Sequence, residues 1–244
     1  MYADDLILLS ASILNLQRML EICSITGKEL GITFNTKKSN CLHIGPSVIG
    51  EKPLLYLDNQ IVGWSERIKY LGILINASVN FNVDISDCRR KFFMSANAVL
   101  VKTKFTCDMV KLNIFESSCL PILMYSVESG ILNDSASITL NCCWNFIYRR
   151  IFGYFRWESV RNVMGALNKL NVIYMINLRR VLFIKRMMND SLNNHTLLGI
   201  VKHYVNNNEF QTILNKYKIN FHASSGKIKK SFSSDFQTTC HVLV

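Results

Sequence analysis

The chain lacks the marks of several common protein classes. Its 8 cysteines, Cys23, Cys41, Cys88, Cys107, Cys119, Cys142, Cys143 and Cys240, include no C-x-x-C pair, and no histidine cluster accompanies them. Those spacings therefore argue against a zinc site. No apolar run approaches the ~20 residues that a membrane-spanning helix needs. Met1 is followed directly by Tyr2-Ala3-Asp4-Asp5, not by a basic stretch and an apolar core, so the start does not read as a signal peptide. No repeat of fixed period is visible. Most of the cysteines lie within apolar runs, where a free thiol behaves as a small core residue. That pattern fits a reducing compartment, cytoplasmic and/or nuclear rather than secreted. The glycosylation-type triplets at Asn76, Asn133 and Asn194 carry no meaning there.

Acidic residues are also scarce, at 17 against 28 lysines and arginines. The imbalance is uneven: residues 1–88 carry 7 basic and 9 acidic side chains, residues 89–186 carry 15 and 5, and residues 187–244 carry 6 and 3. An acidic head before a basic middle points to a chemistry or metal end and a polyanion-holding end, although an ordinary basic surface has the same composition. With 244 residues, 49% of them hydrophobic and 11% aromatic, the chain can bury a sizeable core in one large domain or two small ones. It is not a disordered sequence.

The first ten residues, Met1 to Ser10, organise the rest. Asp4 and Asp5 sit side by side at a bend, and Leu6 to Leu9 read as a buried strand. Adjacent carboxylates beside an apolar strand repel, and a hard cation such as Mg²⁺ offsets that cost. Two such ions about 4 Å apart stabilise the attacking and leaving oxygens of a phosphoryl transfer. A solvated turn before a hydrophobic run is the plain alternative.

Further along, residues 11–30 read as an amphipathic helix with Ile13, Leu16, Leu20 and Cys23 on one face, stopped by Gly31. A short strand, a turn at Asn35 and a second strand over 40–44 follow, then a Gly/Pro loop. Residues 54–57 and 60–62 flank Asp58-Asn59 as a hairpin. Residues 69–75 read as one strong strand with Gly72 as a kink or close approach. From Asp84 the period is helical, over 84–104, 108–129 with Pro121 kinking or dividing it, 134–153, 157–168, 171–190, 193–206 and 209–217. Asp134 or Ser135 caps the third of these. Trp64, Trp144 and Trp157 read as core. Residues 220–244, rich in Ser, Thr and Lys, read as a loosely ordered tail.

In this order the parts resemble a known family. Tyr2-Ala3-Asp4-Asp5 with its apolar strand, the helix, Gly31-x-x-x-Asn35-x-x-Lys38-Ser39 and Lys69-Tyr70-Leu71-Gly72 resemble motifs C, D and E of the palm of non-LTR retrotransposon (LINE-type) reverse transcriptases. Leu120-Pro121 through Tyr125-Ser126-Val127-Glu128 resembles the Leu-Pro…Tyr-Gly-x-Glu segment of the LINE thumb, with Ser126 where glycine is usual. Arg149 to Gly153 and Trp157 to Val160 resemble further words of the same elements. The likeness covers about 1–190.

The resemblance implies an α+β fold. A C-terminal half-palm over 1–80, a small antiparallel sheet with one packed helix, precedes a mostly helical thumb and connection region over 81–219 and the 220–244 tail. It implies RNA-directed DNA polymerase chemistry, with Mg²⁺ as cofactor in the complete enzyme and RNA template, DNA primer and deoxynucleotide triphosphates as partners. No membrane partner is implied. Asp4 would bind the metal ions and Asp5 support them. Lys38 would stabilise the departing pyrophosphate, or else stand as a surface lysine after a turn. Tyr2, Lys69, Tyr70 and Gly72 would hold the primer, with Arg89, Arg90, Lys91, Lys102 and Lys104, and Lys111 beyond them, tracking a template–primer duplex. Arg179, Arg180, Lys185 and Arg186 form a second basic cluster.

The family's motif A aspartate, motif B and fingers precede motif C, and none stands in this sequence. The strand that should enter the Asp4-Asp5 turn is missing too, and the expectation is that the start is a truncation. The expectation is a reverse transcriptase by family that does not polymerise DNA as this chain alone, or a non-catalytic basic remnant that binds nucleic acid through its thumb helices.

Overall fold

The structure, a computed structural model, describes residues 4–46, 52–128, 132–190 and 195–241, the side chains of 195–197 and 241 excepted. The fold is α+β, and the chain divides after Asp84 into two compact units. No helix among the described residues is long and apolar enough to cross a membrane.

In the N-terminal unit, α1 spans Ile13–Glu29, and the Ser12 hydroxyl accepts from the Asn15 amide to cap it. Its end is a Schellman motif. Gly31 takes φ +68° and donates to the Lys28 carbonyl at 3.2 Å, while Ile32 donates to Gly27 at 2.8 Å. Gly27 must be bare: a Cβ there would lie 2.8 Å from the Phe34 ring. The expected turn at Asn35 forms, with the Lys38 and Ser39 amides both donating to the Asn35 carbonyl. The strand after it is only β1, Asn40–Cys41.

The Asp58-Asn59 hairpin is present. Strands β2 (Leu55–Leu57) and β3 (Gln60–Trp64) pair antiparallel through a two-residue turn with φ of 51° and 59°. Both central residues are positive, as hairpin twist demands, and Asp and Asn tolerate this better than most residues. Lys28 of α1 pairs with Asp58 at 3.3 Å, and the Ser24 hydroxyl also donates to it. Gln17 grips both backbone groups of Tyr56, donating to its carbonyl and accepting from its amide. Leu20, Leu55, Leu57 and Val62 form the small core beneath, with Leu8, Phe34 and Trp64 packed around it.

Three readings of this unit change. β1 joins β3 in parallel, so the first sheet is mixed rather than purely antiparallel. Leu6 to Leu9 do not form a buried strand: Asp5 makes a single bridge, the run beyond it joins no ladder, and Leu6, Ile7 and Leu9 are exposed. An apolar run outside any ladder presents only one face to a core, here through Leu8. Residues 69–75 are not one strand but the hairpin of a second sheet, in which β4 (Arg67–Tyr70), β5 (Ile73–Asn76) and β6 (Asn82–Asp84) run antiparallel in that order. Leu71 and Gly72, at φ 46° and 83°, turn the chain back on itself.

The C-terminal unit is helical. It comprises α2 (Ser86–Lys102), α3 (Asp108–Ser118), α4 (Leu120–Leu123), α5 (Asp134–Phe152), α6 (Arg161–Ala166), α7 (Val172–Asp190), α8 (His195–Val205), α9 (Asn208–Lys216) and α10 (Ser225–His241). Pro121 does divide its helix, separating α3 from α4. The cap of α5 is Asn133, one residue before the pair expected, with its side chain accepting from Ala136 at 2.7 Å. α5 buries a full stripe, from Ala136 through Leu140, Trp144 and Tyr148 to Ile151, and Gly153 ends it at φ +72°. Burial pushes the Tyr148 hydroxyl far above its ordinary pKa.

The 220–244 tail is the largest correction: α10 occupies most of it and packs on α6 and α7. Ile228, Phe232, Phe236 and Cys240 recur every fourth residue, all of them buried. The Ser, Thr and Lys residues between them dilute the pattern in sequence without removing the stripe.

All 8 cysteines are unpaired, Cys107 and Cys142 exposed and the others at least half-buried. Burial pushes the Cys88 thiol up to about 11, and those of Cys41, Cys143 and Cys240 upward as well.

Candidate functional site

Asp4 and Asp5 lie at a turn, exposed, ahead of the segment that Leu8 anchors to the small core. Their oxygens are of the hard kind that Mg²⁺ takes. Among the described residues, however, no third acidic, histidine or cysteine side chain joins them in a group able to hold a metal ion. Two neighbouring carboxylates supply too few ligands for two-ion geometry, so these residues alone do not fit that group. Tyr2 lies outside the described residues.

Lys38 ends the Asn35 turn with its side chain exposed, and the Asn35 side chain accepts from its amide at 3.2 Å. Lys69, Tyr70 and Gly72 come together in a single feature, the β4–β5 hairpin. Tyr70 faces Ile73 across it and Lys69 faces Leu74. Lys69 and Gly72 are exposed and Tyr70 is half-buried. The bend brings bare backbone to the hairpin's end.

The basic residues of α2 are exposed, but not all stand open. Arg90 and Lys91 both reach Asp87, at 2.7 and 2.9 Å. The Arg90 hydrogen bond, with that of Lys91, holds the Asp87 carboxyl down at about 2. Lys102 and Lys104 flank the end of α2, where Lys104 lies 5.4 Å from the ring of Phe105, itself 95% exposed. Lys111 pairs with Asp108 at 3.1 Å.

Three members of the second basic cluster are engaged within the helical unit. Arg179 donates to the Met124 carbonyl at 3.0 Å. Arg180 is buried and bonds Tyr204 and Glu209 at 3.3 and 3.2 Å. Lys185 donates to the Phe221 carbonyl at 2.9 Å, and Arg186, like Arg179, is exposed. Arg179, Arg180 and Lys185 thus tie α7 to its neighbours.

Two features escaped the sequence reading. One is an open concavity of about 670 Å³ in the N-terminal unit, lined by His43, Lys52, Glu66, Arg67, Asn76 and Ser78 among others. Arg67 is held there by Asn76 at 2.9 Å and Asp84 at 3.1 Å. Its residues come from four separate segments, and no local pattern announces it. The other is Trp157. Of the three tryptophans expected in the core, Trp144 is there and Trp64 is half-buried, its indole N–H donating to Pro53 at 2.9 Å. Trp157 is 80% exposed. It lies on the loop between α5 and α6.

The chain is similar to an uncharacterized transposon-derived protein of Caenorhabditis elegans, 27% identical over 158 residues. The match takes in 62% of this chain and 55% of that protein, so the chain spans about half the length of the relative it matches. The likeness suggests a transposon origin. No protein-family model matches the chain, and no solved structure matches it.

Proposed function

We propose that the chain is the palm-and-thumb portion of a non-LTR retrotransposon reverse transcriptase, and that the residues it contains hold a nucleic-acid duplex rather than complete a polymerase site. The observation that carries the reading is the Lys69–Leu74 hairpin. A motif expected to grip a primer lies on a tight turn with its glycine at φ +83° and its lysine exposed. Bare backbone and a cation at a hairpin end suit close approach to a phosphodiester chain.

A second observation supports the same assignment. Ser126 occupies the place where the LINE thumb has glycine, and its φ is +57°, in the region that glycine favours. The transposon-derived relative agrees with the origin. In the complete enzyme, Asp4 and Asp5 would be carboxylates of the Mg²⁺ site and Lys38 a cation near the leaving group. RNA template, DNA primer and deoxynucleotide triphosphates would be the partners. Arg89, Lys102 and Lys104, with Arg90 and Lys91 once released from Asp87, would face the duplex backbone.

The test pairs binding with activity. The 244-residue chain should bind an RNA–DNA hybrid with an affinity that falls steeply with salt. Lys69→Ala should reduce the slope by about 0.9 in log–log terms for each phosphate it no longer neutralises. Primer extension on a poly(rA)·oligo(dT)-type template with Mg²⁺ should give no product. No hybrid binding at low salt would sink the duplex reading. Extension that an Asp4→Ala, Asp5→Ala double variant abolishes would show a complete metal site after all.

A further inference from the structure

The loop from Gly153 to Val160 joins α5 to α6 and carries Phe155 and Trp157 in full view, 62% and 80% exposed. The two rings are parallel, at 0°, with centroids 5.1 Å apart. The turn that bears them is fixed at several points. Tyr154 donates to the Arg149 carbonyl at 3.1 Å and Glu158 donates to the Phe155 carbonyl at 3.2 Å. The Glu158 carboxylate accepts from the Phe155 amide, and Arg149 Nε donates to the Glu158 carbonyl at 3.0 Å. Buried Val160 anchors the far side. The stack is thus held outward by a rigid frame, not left over from a loose loop.

Its surroundings are cationic. Arg149, Arg150, Arg156 and Arg161 lie within the same stretch, against Glu158 as the single acid. The Glu158 carboxylate is engaged by the loop's own backbone, while Arg150 and Arg156 are exposed. An apolar peptide would not call for the four arginines that this stretch carries. A flat π-face beside guanidinium groups matches an unpaired nucleobase with its phosphates.

We propose that Phe155 and Trp157 form a stacking platform for a base of a single-stranded nucleic acid, with Arg150 and Arg156 on the flanking phosphates. Bases in a duplex hide their faces, so the platform selects single strands. It reads the base face and not the sugar, so DNA and RNA strands bind alike. The inference rests on nucleic acid being the ligand of the basic unit, but not on the hairpin, the carboxylates or duplex binding.

The test uses the full chain and three fluorescein-labelled probes: (dT)12, (rU)12 and a 12-base-pair RNA–DNA hybrid. Trp157→Ala should weaken both single strands about 10-fold, the scale of one missing base–aromatic stack, and leave the hybrid unchanged. Trp157→Phe should restore most of the affinity, and Arg156→Ala should lower the salt dependence by the equivalent of about one phosphate. Unchanged far-ultraviolet circular dichroism separates these effects from unfolding. Equal binding of (dT)12 by the unaltered chain and Trp157→Ala would overturn the proposal. So would a concentration-dependent dimer that Trp157→Ala abolishes without touching oligonucleotide binding, because the face would then be a protein contact. Hybrid binding without single-strand binding would end this inference and spare the duplex reading. Trp157-dependent single-strand binding without hybrid binding would do the reverse.

Discussion

The hydroxyl of Tyr174 donates to the carboxylate of Asp235, 61 residues further along the chain, across 2.8 Å. That bond fastens α10 to α7 beside a cluster of rings. Phe236 lies 4.9 Å from Tyr174, and Phe232 lies 4.4 Å from Tyr217. The last helix is therefore part of the C-terminal core. Phe232→Ala should cost about 3–5 kcal/mol, as loss of a buried ring does. Urea unfolding measures it, and a shift below about 0.5 kcal/mol, the level of a surface change, would mean that α10 does not dock.

The same tyrosine makes stability fall at high pH. Burial, reinforced by the Asp235 carboxylate, raises its hydroxyl from 10.0 to about 12. The folded state thus holds the proton more tightly than the unfolded one. Its contribution is complete below pH 10, and it is lost as the pH rises toward about 12. The urea midpoint of the unaltered chain should drop more between pH 9.5 and 11.5 than that of Tyr174→Phe. Parallel profiles would show that Tyr174 ionises alike in both states.

Two helical glycines should answer oppositely to alanine. A Cβ at Gly165 would meet Cys240 Cβ and Sγ at 3.0 Å, whereas one at Gly199 has nothing within 4 Å. Gly165→Ala should lose about 1–3 kcal/mol through overpacking of α6 on α10. Gly199→Ala should gain about 0.5–1 kcal/mol from helix propensity. A gain at both positions would contradict the close α6–α10 approach.

Ser126 should welcome its own replacement. It holds φ +57°, and Ser126→Gly should relieve about 1 kcal/mol of left-handed strain. Thermal unfolding of the two proteins decides the sign, and a loss of stability would mean that the serine side chain outweighs the backbone.

Asp87 links folding to ligand binding. Its carboxyl, held at about 2 by Arg90 and Lys91, contributes stability above the ordinary carboxylate value of 3.8 and loses it as the pH falls toward 2. The unaltered chain should therefore outlast Asp87→Asn at pH 6, with the gap closing near pH 2. In hybrid binding the order should reverse. Asp87→Asn frees two cations, so affinity should rise and the salt slope should steepen by up to about 0.9 for each further phosphate neutralised.

Sequence disclosed the features whose cause is local. Asp58-Asn59 announced a hairpin because both types tolerate a positive φ. Gly31 announced the end of α1, and Pro121 a broken helix. Where the cause was distant, the reading faltered. Gly72 reads as strand in sequence because alternation carries on through a two-residue turn, and only the pairing of Tyr70 with Ile73 reveals the reversal. Leu6 to Leu9 are apolar enough for a buried strand, but burial needs a ladder, which no local residue encodes. The stripe of α10 was diluted by serine and threonine. At the candidate site, composition flagged the carboxylates and the basic helices but not which cations are already engaged. Arg180 and Lys185 look identical in sequence to residues that face solvent, and the aromatic character of Trp157 suggested a core that its loop does not enter.

The distribution of thiols has a practical side. Cys107, at the cap of α3, and Cys142, on the outer side of α5, are exposed, while the other six are at least half-buried. A maleimide should thus modify these two first, with no engineered cysteine. A dye at Cys107 would sit two residues from exposed Phe105, and one at Cys142 would ride the helix that leads to the Phe155–Trp157 turn. The native chain already carries two attachment points for optical reporters in its helical unit.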